Sequence, residues 1–253
     1  MSAISFDIAD GKATLILTNP PVNVLTIRMM EEIVAALDAI PKSDARVLLV
    51  RGDGKCFSAG AEVAEHLPEK VRGMFAALHA LFERVTSLEI PIVSAIHGNA
   101  LGGGFELALF SDIIYATASA KIGLPEIKLG VFAPYAAAIL PGHIGGLKSM
   151  EILLTGRTVS GEEAHRLGLV NAVAADEVAL WKMTDALASE LAALSLPALR
   201  SCKAAIRHAC RKDVGGAVAE AERIYLEELM RSHDAVEGIR SFMEKRKPVW
   251  KNN

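Results

Sequence analysis

Residues 91–116 read Pro91-Ile-Val-Ser-Ala-Ile-His-Gly-Asn-Ala-Leu-Gly-Gly-Gly-Phe-Glu106-Leu-Ala-Leu-Phe-Ser-Asp-Ile-Ile-Tyr-Ala116. The apolar run 91–96 is short and bounded by turn residues, so it reads as a buried strand. The three glycines at 102–104 then open a helix at about 103–110. Asp112–Ala116 is a further strand. A strand, a glycine turn, a helix and a strand in succession indicate an α/β layered core.

Upstream the pattern continues. Ile4–Ile8 and Ala13–Leu17 read as strands joined at the hairpin signal Asp10-Gly11. Residues 26–39 carry Met29, Met30, Ile33, Val34 and Leu37 at helical spacing, with Thr26 as N-cap. Arg46–Val50 is a strand, 51–67 a loop and about 69–88 a helix. Beyond about 140 the sequence reads as helical, over 146–154, 161–167, 176–194, 197–210, 214–229 and 234–243, with one strand at 169–173. The expected organisation is a core over 1–195 and a helical C-terminal region over 196–253, docked on the core or on a neighbouring subunit.

The bulk composition narrows the function. The 253 residues are 51% apolar and 23% charged, which fits a globular chain with a large core. With a net charge of −3, nothing suggests a broad nucleic-acid surface. Cys56, Cys202 and Cys210 are odd in number and lack CxxC spacing, against a disulfide framework or a zinc site. The histidines form no HExxH or HxH, so no metal is expected. No basic leader and no apolar run of about 18 residues is seen, so a cytoplasmic chain without membrane contact is expected.

Chemistry concentrates in three segments. Glu106 follows Ala-Leu-Gly-Gly-Gly-Phe, and Glu126 closes Gly-Leu-Pro-Glu (123–126). A carboxylate in apolar surroundings is costly unless paired or shifted upward in pKa. Two such groups suit the addition or removal of water by general acid and base. The glycines at 102–104 permit close backbone approach, and free N–H groups at a helix start would face an anion or oxyanion. Phe-Ser-Ala-Gly-Ala-Glu (57–62) could bring a second N–H to the same ligand. Each segment alone also reads as an ordinary turn; their joint presence favours a site. Walker A, GxGxxG and GxSxG patterns are absent from the sequence.

These motifs resemble the crotonase, or enoyl-CoA hydratase/isomerase, superfamily, over essentially the whole chain. The residues that carry the resemblance are Phe-Ser-Ala-Gly-Ala-Glu, His97-Gly-Asn-Ala-Leu-Gly-Gly-Gly-Phe-Glu-Leu-Ala108, and Ile122-Gly-Leu-Pro-Glu-Ile-Lys-Leu-Gly130. The resemblance implies a spiral core of ββα turns, with C-terminal helices that build homotrimers or hexamers. It implies an acyl-CoA thioester substrate and no separate cofactor. Ala61 and Gly103 would be the oxyanion-hole donors, and Glu106 and Glu126 the two hydratase glutamates. Ala59 and Val63 would line the CoA path. Glu62 and Ala64 depart there from the more frequent Asp and Lys. Lys245 would reach the CoA of an adjacent subunit.

After the second glutamate this chain lacks the glycine-rich Pro-Gly-Ala-Gly-Gly of generic hydratases. Its Gly130-Val-Phe-Ala-Pro134, Glu65-His-Leu-Pro68 and Tyr225–Gly238 stretches look like cyclohexa-1,5-diene-1-carbonyl-CoA hydratases of anaerobic benzoyl-CoA degradation. Phe132 and Tyr135 would then reshape the acyl pocket, or serve only in helix packing. The alternatives are a generic short-chain enoyl-CoA hydratase, an enoyl-CoA isomerase, a non-catalytic acyl-CoA-binding relative, and a hydrolase using Cys56 or a serine.

Overall fold

Asp10 and Gly11 both take positive φ, 51° and 71°. That geometry closes a two-residue hairpin between β1 (Ile4–Ala9) and β2 (Lys12–Leu17). The computed structural model describes residues 2–210 and 214–251. Helix α1 (Ile27–Leu37) starts at Thr26, whose hydroxyl accepts from the Met29 N–H at 3.2 Å. It buries Met29, Met30, Ile33 and Leu37. Strand β3 (Val47–Gly52) and helix α2 (Val71–Ser87) follow.

The chain then spirals. One turn is β4 (Ile92–Ile96), β5 (Asn99–Leu101) and α3 (Gly103–Leu109). The next is β6 (Ile113–Thr117), β7 (Lys121–Gly123) and α4 (Pro134–Thr155). Each turn gives one strand to a large sheet and one to a small sheet. Strand β8 (Thr158–Ser160), helix α5 (Gly161–Arg166), strand β9 (Ala172–Ala174) and helix α6 (Glu177–Ala192) complete this part. The large sheet runs β1-β2-β3-β4-β6-β9, parallel after the first hairpin, and the small sheet runs β5-β7-β8. This is the α/β spiral of ββα turns that the family resemblance implied.

Strands buried on both faces explain the unbroken apolar runs. Leu48 and Val50 of β3 join the main core with α1 and α2, while Val47 and Leu49 pack with Leu180 and Ala188 of α6 on the other face. The C-terminal helices are α7 (Leu196–Cys210), α8 (Val214–Arg223) and α9 (His233–Met243), with a π-helical turn at Ile224–Glu228.

Several elements differ from the sequence reading. Strands β5, β7 and β8 have three residues each, and β9 begins later than expected. The helix expected from 146 begins at Pro134 and is broken at Gly145, where φ is 77° and ψ is 160°. Pro134 at the first helical turn has the φ a helix needs and no N–H to leave unpaired.

Candidate active site

Parallel pairing of β5 with β7, in the register Leu101↔Gly123, puts 102–106 beside 124–126. The Gly102 N–H donates to Gly123 O at 2.9 Å. Gly102 has φ +51°, and a Cβ there would lie 2.5 Å from Glu126 Oε1. The Glu126 carboxylate thus rests on a bare α-carbon. Glu126 itself lies in a short 3-10 turn, Pro125–Leu129, with Pro125 at its start.

The loop 57–62 runs along the other edge of β5. The Ser58 N–H donates to Asn99 O, and the Leu101 N–H to Ser58 O, both at 3.0 Å. A Cβ on Gly103 would be 3.4 Å from Ala61 N, so the two main chains nearly touch. Leu25 N–H bonds Gly60 O and Glu62 N–H bonds Leu25 O, which passes over Ala61. Neither the Ala61 N–H nor the Gly103 N–H has an acceptor among the described residues. Gly103 opens α3, where the first N–H groups have no intrahelical partner.

Glu106 projects from α3 and is 2% exposed. Its Oε1 accepts from the Ala136 N–H at 2.8 Å, and the Tyr135 N–H also favours its charged form. Burial outweighs these bonds and raises its pKa from 4.5 to about 7. Glu126 rises further, to about 8, through burial and then the repulsion of Glu106. Part of Glu126 reaches the surface, but its Oε2 is buried with no hydrogen-bond partner. Glu106 has main-chain donors and Glu126 Oε2 has none, so the shared proton favours Glu126.

A group whose folded pKa is raised stabilises the native state below its unfolded pKa and loses that contribution as pH rises through the folded value. For this pair the loss runs from pH 4.5 to about 8. We expect the wild type to lose unfolding free energy relative to Glu126→Gln as pH rises across this window, read by denaturant titration. A pH-independent difference would contradict the upward shift.

Glu106, Glu126, Ala61 and Gly103 all line one cavity, which is open on one side. Ala59, Val63 and Phe132 also line it. Glu62 and Ala64 do not; the Glu62 carboxylate accepts from the Ala64 N–H at 3.3 Å and starts the short turn Val63–His66. The Tyr135 side chain is buried away from the cavity and its hydroxyl donates to Glu222. Only its N–H serves the site, at Glu106. Lys245 is exposed at the end of α9 and outside the cavity of its own chain.

The sequence reading did not place Met74, Phe75 and Leu78 of α2, Tyr225 of the π turn or Ile239 of α9 in the site, yet all line the cavity. His66, quoted like Tyr225 only as part of a subgroup likeness, lines it too. Its Nδ1–H donates to Glu62 O at 3.0 Å, and burial lowers its pKa, so the ring is neutral. Cys56 is 2% exposed, outside the cavity, and burial raises its thiol pKa, which removes the case for a thiolate nucleophile. Among the described residues no cluster has metal-ligand geometry, and no helix is long and apolar enough to cross a membrane.

Comparison with known proteins agrees with this architecture. The family model described as Enoyl-CoA hydratase/isomerase matches residues 7–253. Cyclohexa-1,5-dienecarbonyl-CoA hydratase of Thauera aromatica is 38% identical over 93% of this chain and 91% of its own. A probable enoyl-CoA hydratase of Bacillus subtilis is 39% identical over 99% of both chains. The crystal structure of an enoyl-CoA hydratase from Mycobacterium avium subsp. paratuberculosis superposes with a TM-score of 0.88, at 25% identity, covering 99% of each chain. With the spiral fold and the full-length match together, the chain belongs to the enoyl-CoA hydratase/isomerase family of the crotonase superfamily.

Proposed function

We propose that this protein adds water to an unsaturated acyl-CoA thioester, and that the acyl group is cyclohexa-1,5-diene-1-carbonyl. The carrying observation is the pairing of buried Glu106 and half-buried Glu126 with two unpaired N–H groups in one apolar cavity. In this reading the thioester oxygen accepts from Ala61 and Gly103. Their bonds strengthen as the oxygen becomes an enolate, and each donor is worth about 2.7–4 kcal/mol of barrier.

Glu106 takes a proton from water while the water oxygen bonds to the β-carbon. The π electrons move to the thioester oxygen, and the carboxylic acid of Glu126 delivers its proton to carbon. The shared proton, now on Glu106, re-equilibrates within the pair. With a simple enoyl ester the proton reaches the α-carbon. With the cyclic diene it reaches the γ-carbon across the ring and gives the 6-hydroxycyclohex-1-ene ester. No cofactor beyond the CoA of the substrate enters.

The diene reading is supported by the 38% identity to the Thauera aromatica hydratase, and by Val131–Pro134 forming a cavity wall. The similar identity to the Bacillus subtilis protein keeps a generic short-chain hydratase as the second reading. Purified protein offered crotonyl-CoA and the diene ester should hydrate the diene with much the higher kcat/KM. Preference for crotonyl-CoA would overturn the diene assignment and leave the generic hydratase.

Assembly into homotrimers or hexamers belongs to the same proposal. Leu147, Met150 and Leu154 share one face of α4 and are 90%, 62% and 65% exposed, an apolar stripe suited to a second copy. Lys245 would then meet the CoA of a neighbouring subunit.

A further inference from the structure

Tyr225 is 1% exposed, yet its hydroxyl has no hydrogen-bond partner within the protein. A buried phenol normally finds one. Its residue lines the cavity that holds Glu106 and Glu126, and Glu126 Oε2 is likewise buried and unpaired. The hydroxyl lies within the electrostatic reach of both carboxylates, Glu126 more strongly than Glu106. Burial and these two acids raise the phenol pKa far above its ordinary value, so it remains a donor and never serves as the base.

The ring is fixed on several sides. Phe75 lies 4.8 Å away between centroids, Phe132 5.5 Å and His66 6.5 Å. Tyr225 sits in the π-helical turn Ile224–Glu228, a device common at functional sites. The turn is held from both ends. The Tyr135 hydroxyl bonds Glu222 just before it, and Arg72 of α2 bonds Glu227 at 2.8 Å.

We propose that Tyr225 is the third contact of the reacting water, donating its O–H to the water oxygen between the two glutamates. This rests on the hydratase reading above. A water molecule offers two hydrogens and two lone pairs in a tetrahedral array. Glu106 and Glu126 accept the hydrogens, and Tyr225 occupies one lone pair. The remaining lone pair is then the only one free to attack carbon, and its direction is set. Tyr225 forms and breaks no covalent bond. After addition the same oxygen is the hydroxyl of the product, and Tyr225 still donates to it.

The test is Tyr225→Phe, which keeps the ring and deletes one oxygen. That oxygen has no protein partner, so its loss costs no intramolecular bond, and the melting temperature should stay equal or rise. Wild type and variant are assayed with whichever of crotonyl-CoA and the cyclic diene ester the wild type hydrates faster. We expect kcat to fall roughly tenfold or more, with KM changed by less than about threefold. Affinity for the matching hydroxyacyl-CoA should fall about tenfold, while affinity for the unsaturated ester changes little. A kcat within about twofold of wild type would overturn the inference. Equal weakening for both esters would also overturn it, because that is the mark of a merely structural role. A wild type that hydrates neither ester would overturn the hydratase reading, and this inference with it.

Discussion

Glu106→Gln and Glu126→Gln are each expected to lower hydration by roughly 10²–10⁴-fold, the usual contribution of a positioned acid or base. The measurement is the loss of enoyl-thioester absorbance on mixing with substrate. Glutamine keeps the volume of the side chain and can still accept from the Ala136 N–H that holds Glu106 at 2.8 Å. It can neither take up nor release the proton. Binding of the CoA ester, read by calorimetry, should be largely kept, because the N–H groups of Ala61 and Gly103 and the apolar walls are untouched. In the proposed mechanism the pair works as one unit with one shared proton, so the effects of the two substitutions should not be additive. Near-normal turnover in either variant would remove the two-carboxylate mechanism.

Gly102→Ala should produce a loss of comparable kind from a residue with no chemistry of its own. Its backbone, at φ +51° and ψ −132°, lies where side chains are strained, at a cost of about 1–3 kcal/mol. The new Cβ would also stand 2.5 Å from Glu126 Oε1, so the carboxylate or the main chain must shift. A displacement of about 1 Å at a reacting group costs on the order of 10² in rate. Both kcat and the melting temperature should therefore fall. In the Glu126→Gln background the added rate loss should shrink while the thermal loss persists, because the group being displaced no longer transfers a proton. A Gly102→Ala enzyme with wild-type kcat would mean that the carboxylate does not need its bare α-carbon.

Both glutamates were legible because their signals are local. Glycines at 102–104 and a proline at 125 force backbone shapes that surface acids do not require. The large-sheet strands of β1 to β6 were legible for the same reason, each carrying an apolar pattern long enough to read. Strands β5, β7 and β8 were not, because three residues show no alternation. Pairing with a neighbour defines them, and pairing is tertiary. The first part of α4 was hidden by Pro141 and by glycines at 142, 145 and 146, of which only Gly145 breaks the helix.

The cavity walls show the same limit. Phe132 and Tyr135 stand three residues apart in the segment expected to shape the pocket, yet only the Phe132 side chain reaches it. Periodicity says that Phe75, Leu78 and Tyr225 are on buried faces. It does not say which of those faces meets a void rather than a neighbouring side chain.

Tyr225 and Ile239 come from the C-terminal helices, while Gly103, Glu106 and Glu126 come from the spiral. The cavity is therefore a seam, and an occupant bound there would act as a keystone between its two sides. Affinity for such an occupant would then include any equilibrium by which those helices seat themselves. An enzyme whose seated form were only partly populated would show a correspondingly weaker apparent affinity. The Arg72–Glu227 ion pair, at 2.8 Å, ties α2 of the spiral to the π-helical turn of the C-terminal helices across that seam, without lining the cavity itself.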